Sequence, residues 1–567
     1  MRTAWSPTTL SALVLSLSKD GRGCIAVVRP SEQVRGQAAH HWVGARHNAY
    51  KHLERIHLEN AVKPEHVDVL IVGAGLSGIG AAYRLQERCP SRTFAVLESR
   101  ACIGGTWDLF RYPGMRSDSD MFTLGYPFQP WTERKSIADG PSILNYIHRT
   151  AREHGIDRKI RFNHRVRRAS WSSREARWLV ETERGPGAEP ARFTCNFLLM
   201  CSGYYSYTEG YTPDFPGVSR FRGRIVHPQN WTDAVDYANK RVVVIGSGAT
   251  AVTLVPELAK SAAHVTMLQR SPTYVAPWPD EDAIANTLRR YLPAKAACAI
   301  ARWKNVLAGM YFYWLCKNRP ERAKAMVLDA VRAELGPDYD VAKHFTPRYN
   351  PWDQRLCLAP NGDLFKSIKQ GATTVVTDEI ETFTEAGIKL RSGRELEADL
   401  VVTATGLNLQ VMGGAEIEVD GESVTPGRTL SYRAAMSSDV PNLAAVFGYT
   451  NASWTLKADL ISCYVCRLLN YMEAYDYRQC TPRNRDPNIV RLPPVDFTSG
   501  YFQRAMDKLP RQGSRKPWRI YQNYVRDLMM YRFAPLNDGV LEFSRPSGPA
   551  SPATSPVGRA LEGARTT

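Results

Sequence analysis

Two glycine-rich turns constrain this chain more than any other feature in it. "GAGLSG" (73–78) follows the apolar run "VDVLIV" and opens into "IGAAYRLQERC", and "GSGATA" (246–251) follows "RVVVI" and opens into "VTLVPELAK". A buried strand, a tight turn and an apolar-faced helix, in that order, begin a βαβ unit, and the spacing G-x-G-x-x-G/A turns the amides of a helix start toward a pyrophosphate. Gly73 allows the sharp turn, Gly75 the approach of phosphate to backbone, and Gly78 the packing of helix on strand, while the amide of Ser77 joins those facing the phosphates. Gly246, Ser247, Gly248, Thr250 and Ala251 supply the second turn. Two such units in one chain predict two bound dinucleotides.

The residues that close the second strand of each unit separate the two sites. Glu98 ends "TFAVLES", twenty residues after Gly78, where a carboxylate accepts hydrogen bonds from ribose hydroxyls. The second unit has no acid there; "VTMLQRSPT" offers Arg270 and Ser271, and a guanidinium at that position bonds a 2′-phosphate, which favours NADPH over NADH. "FLLMCSGYY" (197–205) and "ADLVVTATGLN" (398–408) each read as an apolar strand ending in a small-small-Gly turn, one after each unit. That order implies an α/β fold of two Rossmann-like dinucleotide-binding domains, the second inserted in the first.

At 567 residues the chain exceeds one ordinary core, and 44% hydrophobic with 23% charged residues is the composition of a globular protein. The net charge of +17 is scattered and accompanies no nucleic-acid motif, so nucleic acid is not an expected partner. Eleven cysteines without regular spacing are unlike a disulfide framework, and Cys463 and Cys466 fall in a helical apolar pattern that reads as packed core thiols. No metal site is expected. No apolar run approaches the roughly 20 residues that cross a bilayer, and "TLSALVLSLS" lacks the flanks of a signal peptide. The expectation is a cytoplasmic protein.

Residues 1–62 show no sustained periodicity, and no Met stands between Met1 and Met115, so this extension is expected to be disordered or to reflect a start assigned too far upstream. The region 280–345 turns helical, basic and aromatic, which predicts a helical insertion packed on its own domain. Its stretch 289–332 is also a candidate for peripheral membrane contact. The tail 544–567, rich in Pro, Ser, Ala and Gly, is expected to be disordered.

Between the two units lies "FRGRIVHPQNW" (221–231), F-x-G-x-x-x-H-x-x-x-W, and after the first comes "GGTWDLFRYPGMRSD" (104–118). Together with the two turns these resemble the class B flavoprotein monooxygenases, over about residues 65–540. Trp231 at the end of the fingerprint looks like the Baeyer–Villiger branch, with one departure, Thr232 where Pro or Asp usually follows. "SDSDMFTLGY", "YNPWDQRLCLAPNGDLF" and "GYTNASWTLKADL" look closest to the members that activate the thioamide prodrug ethionamide.

The resemblance implies FAD in the first domain and NADPH in the second. It divides the chain into 63–215 (FAD), 216–394 (NADPH, with the insertion) and 395–543 (FAD, return segment). It implies a C4a-peroxyflavin, conversion of ketones to esters, and oxygenation of sulfur in thioethers or thioamides, with O2 and a small ketone or sulfur compound as partners. Arg355 matches the family's fixed cation, and Asp118 its partner; His227 is expected to set the pose of the two domains. Gly105, Thr106 and Trp107 are implied at FAD, Arg116, Ser117 and Asp118 near the cofactors, and Val166 at the FAD adenine. Gln354 stands where relatives carry a Lys for the 2′-phosphate, which shifts that task to Arg270 and Lys457. Two alternatives remain: an N- or S-monooxygenase without Baeyer–Villiger activity, and a non-catalytic, membrane-associated flavoprotein. A flavin disulfide reductase is disfavoured, because Cys102 stands without a partner cysteine. Oligomeric state is not legible.

Overall fold

The computed structural model of the chain describes residues 64–545; the expectations for 1–62 and for the tail beyond 545 lie outside them. In chain order the strands that matter here are β1 (Glu65–Val72), β2 (Phe94–Leu97), β3 (Ile160–Arg161), β4 (His164–Ser172), β5 (Arg177–Arg184), β6 (Glu189–Met200), β7 (Tyr205–Gly210), β8 (Arg224–Val226), β9 (Arg241–Ile245), β10 (His264–Gln269), β11 (Thr373–Thr377), β12 (Leu400–Thr403), β13 (Glu416–Val419) and β14 (Leu443–Ala445). The helices are α1 (Leu76–Arg88), α2 (Gly140–Glu153), α3 (Ala249–Leu258), α4 (Ala283–Tyr291), α5 (Ala294–Asn318), α6 (Pro320–Leu335), α7 (Asp363–Lys369), α8 (Trp454–Ala474) and α9 (Tyr524–Phe533).

The first sheet has nine strands and runs β13-β4-β5-β6-β1-β2-β3, with β14 added to β6 and Glu422–Ser423 outside β13. Its centre is parallel: Val72 pairs with Leu97 on one side and Met200 on the other. These strands turn apolar where helices cover them, as in the buried end Val69–Val72 of β1, and all four residues of β2 are buried. α1, α2 and α8 pack there into one core around Ile79, Ile147 and Leu468. The second sheet is β11-β10-β9-β12-β8, all parallel, with α3 and α7 against it.

The two glycine turns face the exits of the neighbouring strands in the same way. Gly73 (φ +108°) and Gly246 (φ +134°) hold a backbone that L side chains rarely adopt, and a Cβ on either would meet a carbonyl, Cys201 O at 2.5 Å and Ala404 O at 2.3 Å. Cys201 and Ala404 belong to the two small-small-Gly exits. Each exit is therefore the floor under a turn.

Two expectations need correction. The return to the first domain was placed at 395, yet β12 pairs with β9 and β8 inside the second sheet, and the chain rejoins the first sheet only at β13. An apolar strand with a glycine exit carries no mark of which sheet it joins. "FRGRIVHPQNW", within the stretch assigned to the NADPH domain, supplies β8, the edge strand of the second sheet. Finally, the insertion does not pack on its own domain alone. α6 adds Val327, Leu328 and Val331 to the second core, whereas α5 reaches the first domain, where buried Arg302 donates to Phe122 O at 3.0 Å and Gly125 O at 2.9 Å. A helical pattern shows that a face is apolar, not what covers it.

Candidate active site

Both glycine turns open onto one cavity of about 1260 Å3, larger than the roughly 300–1,000 Å3 of a pocket for a drug-sized ligand. Of the expected site residues, Gly73, Gly75, Ser77, Glu98, Gly105, Thr106, Trp107, Arg116, Asp118, Val166, His227, Gly246, Ser247, Gly248, Thr250, Arg270, Ser271 and Arg355 line it. Gly78 and Ala251 do not, and for the packing reason given to the third glycine: a Cβ on Gly78 would stand 1.8 Å from Gly73 O, and Ala251 is fully buried in the second core.

At the first turn, bare backbone from two segments meets. A Cβ on Gly75 would lie 3.6 Å from the Cα of Gly105, so neither strand-turn nor "GGTW" segment puts a side chain between them. Glu98 is buried at the end of β2; its Oε2 accepts from Ala74 N at 2.8 Å and its Oε1 from Arg100 N at 2.9 Å. Burial raises its carboxyl above the ordinary value, with those amides and Ser99 opposing. Val166 enters from β4 beside a register shift in its pairing with β5.

At the second turn a Cβ on Gly248 would meet nothing within 4 Å, so the backbone there faces open cavity. Ser247 Oγ donates to Ser271 O at 3.1 Å and bonds Thr273 Oγ1 at 2.8 Å, tying the turn to the end of β10. Arg270 is exposed and forms no ion pair among the described residues. These are features that a pyrophosphate and a 2′-phosphate require, and the first turn with Glu98 has the donors and acceptor for the second dinucleotide. The residues fit both FAD and NADPH.

Between the turns, Arg355 forms an ion pair with Asp118, and its Nη1 donates to Thr450 O at 3.1 Å. The pair is partly open, with side-chain exposures of 28% and 43%. Burial alone would lower the guanidinium's pKa, but Asp118, Tyr501 and Tyr204 outweigh it and raise it further, so the charge persists at any working pH. Arg116 is held by Asp363, the first residue of α7.

His227 lies at the cavity edge with its tautomer defined by its partners. Nδ1 accepts from Gln229 N at 3.1 Å, which leaves Nε2 to donate to Gly406 O at 3.1 Å. The ring also fills the space beside Gly210, where a Cβ would meet Cε1 at 1.9 Å. It thus touches the end of β7, the start of the segment after β8, and the glycine exit after β12.

Two expectations are not met. Ser117 is buried and faces away from the cavity; it exchanges hydrogen bonds with Ala138, donating to Ala138 O at 3.4 Å and accepting from its N at 3.2 Å. Lys457 is not free for a phosphate, because it is 2% exposed with Nζ 3.4 Å from Asp527. Sequence reasoning in turn missed an aromatic wall. Tyr204 and Tyr205 share a hydroxyl bond of 2.8 Å, Tyr204 stacks on Trp454 at 5.0 Å, and Tyr501 lines the same cavity as Arg355. The "YY" after the first small-small-Gly exit was the signal available for it.

The family model for flavin-binding monooxygenase-like proteins matches residues 126–283, and that for an NAD(P)-binding Rossmann-like domain matches 71–133. The FAD-containing monooxygenase EthA of Mycobacterium tuberculosis is 54% identical over 486 residues, 86% of this chain and 99% of the relative. EthA of Mycolicibacterium smegmatis is 53% identical over 492 residues, 87% and 100% of the two chains. Among solved structures, an oxidized steroid monooxygenase bound to NADP superposes with a TM-score of 0.62 at 26% identity, covering 74% of this chain and 88% of that one.

Proposed function

The chain belongs to the family of FAD-containing monooxygenases, and from that premise we propose that it is a Baeyer–Villiger-type enzyme that converts ketones to esters and also oxygenates sulfur in thioethers and thioamides. It uses FAD and NADPH. In the overall reaction NADPH gives two electrons, one atom of O2 enters the substrate, and the other leaves as water. When bound, the flavin supplies the activation of O2.

What carries the reading is the Arg355–Asp118 pair in the cavity that both glycine turns line. Arg355 places a permanent cation where negative charge develops on oxygen, and a donor already oriented costs little reorganisation when the charge appears. Asp118 and the Thr450 carbonyl hold the guanidinium from two directions. Tyr204, Tyr501 and Trp454 exclude water from the same end of the cavity. The first turn with Glu98, Gly105, Thr106, Trp107 and Val166 takes FAD. The second turn with Arg270, Ser271 and Arg116 takes NADPH. Residues 64–215 and 416–545 then form the FAD domain, and 216–406 the NADPH domain. His227, bonded to Gly406 and packed against Gly210 of the FAD domain, is the joint that sets their pose.

NADPH-driven oxygen uptake with a simple ketone and a simple sulfide, products identified, tests this. Ester from the ketone supports it, whereas sulfoxide without any ester would establish the N- or S-oxygenating alternative instead.

A second reading concerns location. No described helix is long and apolar enough to cross a membrane, but α5 exposes Ile300, Trp303, Leu307, Tyr311 and Trp314 at helical spacing, and Arg290, Lys295 and Arg322, before and after that run in the chain, are exposed too. Apolar rings flanked by cations suit the interface of an anionic bilayer, and we propose peripheral contact there. Flotation with anionic liposomes should carry the protein; equal absence from anionic and neutral vesicles would rule it out.

A further inference from the structure

We propose that Gln522 and Asp527, near the C-terminal end of the fold, are positioning residues for Arg355, acting through the loop Tyr449–Asn451. The proposal rests on the reading of Arg355 as the cation beside the reacting centre.

All three residues of that loop are held from one short segment. Tyr449 donates its hydroxyl to Asp527 Oδ2 at 2.7 Å, Thr450 N donates to Gln522 Oε1 at 3.3 Å, and Asn451 Nδ2 donates to Gln522 O at 3.0 Å. The carbonyl of the middle residue, Thr450, is the one that accepts from Arg355 Nη1. Asp527 is in turn anchored by Lys457, which also sits 4.8 Å from the centre of the Tyr449 ring. The catalytic cation is therefore linked to a fully buried ion pair through one backbone carbonyl.

The linkage has a physical reason. An ion pair as open as Arg355–Asp118 holds a long side chain weakly, since solvent screens it and rotamer entropy opposes it. A guanidinium is planar, so a second hydrogen bond to a fixed acceptor sets its orientation as well as its position. Thr450 can serve only if its own peptide is immobile, and the bonds to Gln522 provide that. Burial pushes the Asp527 carboxyl up and pulls the Lys457 ammonium down, each opposed by the other group, so the anchor holds as a matched pair and loses its balance if either partner is removed.

Gln522 is half-buried and its substitution leaves that pair intact, so it is the site to test. In the FAD-loaded enzyme, Gln522→Ala should leave flavin bleaching by NADPH unchanged, while the share of NADPH lost to hydrogen peroxide rises several-fold. In the resting FAD-loaded protein without NADPH, amide exchange over 447–453 should speed up. Gln522→Glu keeps an oxygen acceptor for Thr450 N and should restore both. Wild-type coupling in Gln522→Ala would overturn the proposal, whether exchange is faster or not and whether the melting temperature falls or not. Arg355→Ala run in parallel separates the two ideas: if it still forms ester, the role of Arg355 fails, and if it does not while Gln522→Ala stays coupled, only the positioning role fails.

Discussion

Trp454 donates its indole N–H to Ser77 Oγ at 2.7 Å, joining the first turn of α8 to the first turn of α1 across 377 residues of sequence. α1 starts within the first glycine turn, and the bond ties the start of α8 to it. The bond therefore fixes the first glycine turn to the aromatic wall beside Arg355, because the same indole stacks on Tyr204.

Trp454→Phe keeps most of the ring stacking and loses the bond. A hydrogen bond of this kind contributes about 0.5–1.5 kcal/mol, so FAD affinity measured by fluorescence should weaken roughly two- to tenfold. Unchanged affinity would show that Ser77 is positioned without it.

Arg355→Lys tests geometry against charge. A lysine keeps the positive charge but cannot bond Asp118 and Thr450 O through one planar fork. Oxygenation in single-turnover experiments should fall by roughly 10²–10³, the range for removing one preorganised donor, with flavin reduction intact. Rescue by Lys would mean that charge alone suffices.

Arg270→Ala removes a cation that no carboxylate of the described residues neutralises. A bond to a charged group contributes about 1.5–3 kcal/mol, so kcat/KM for NADPH should drop roughly ten- to a hundredfold while that for NADH barely moves. A parallel loss for both coenzymes would remove Arg270 from the 2′-phosphate.

His227 makes stability depend on pH in a defined direction. Burial lowers its pKa below the ordinary 6.5, only partly offset by the Gly406 carbonyl, and burial lowers those of His66 and His344 as well. The unfolded chain then binds more protons between the folded pKa and 6.5, so stability is fully present above about 6.5 and is lost as pH falls through the folded value. Urea unfolding from pH 7.5 down to 5 should show this slope, shallower in His227→Gln. A variant with the wild-type slope would mean that His227 does not contribute.

Much of the site was legible because its parts are local. Gly73, Gly75 and Glu98 lie within one βαβ unit, where spacing along the chain dictates geometry, and Arg270 follows from the same logic at the end of β10. Arg355 and Asp118 were reachable only through the family resemblance, since 237 residues separate them. Ser117 and Lys457 went wrong for one reason: a polar side chain near a motif can satisfy itself inside the protein, and sequence does not show whether Ala138 or Asp527 waits there.

By itself, the sequence determined that two strand-turn-helix units would each present backbone amides to a dinucleotide, and that one site would accept an extra phosphate. Those properties depend on dihedral freedom at single glycines and on residue order over some thirty positions. Tertiary structure alone decided which sheet β12 joins, that α5 crosses to the first domain through Arg302, and that Arg355 is also gripped by a loop that Gln522 and Asp527 hold. Each of these is a contact between segments far apart in the chain, made by packing and by the need to pair buried polar groups, and no local pattern encodes the partner.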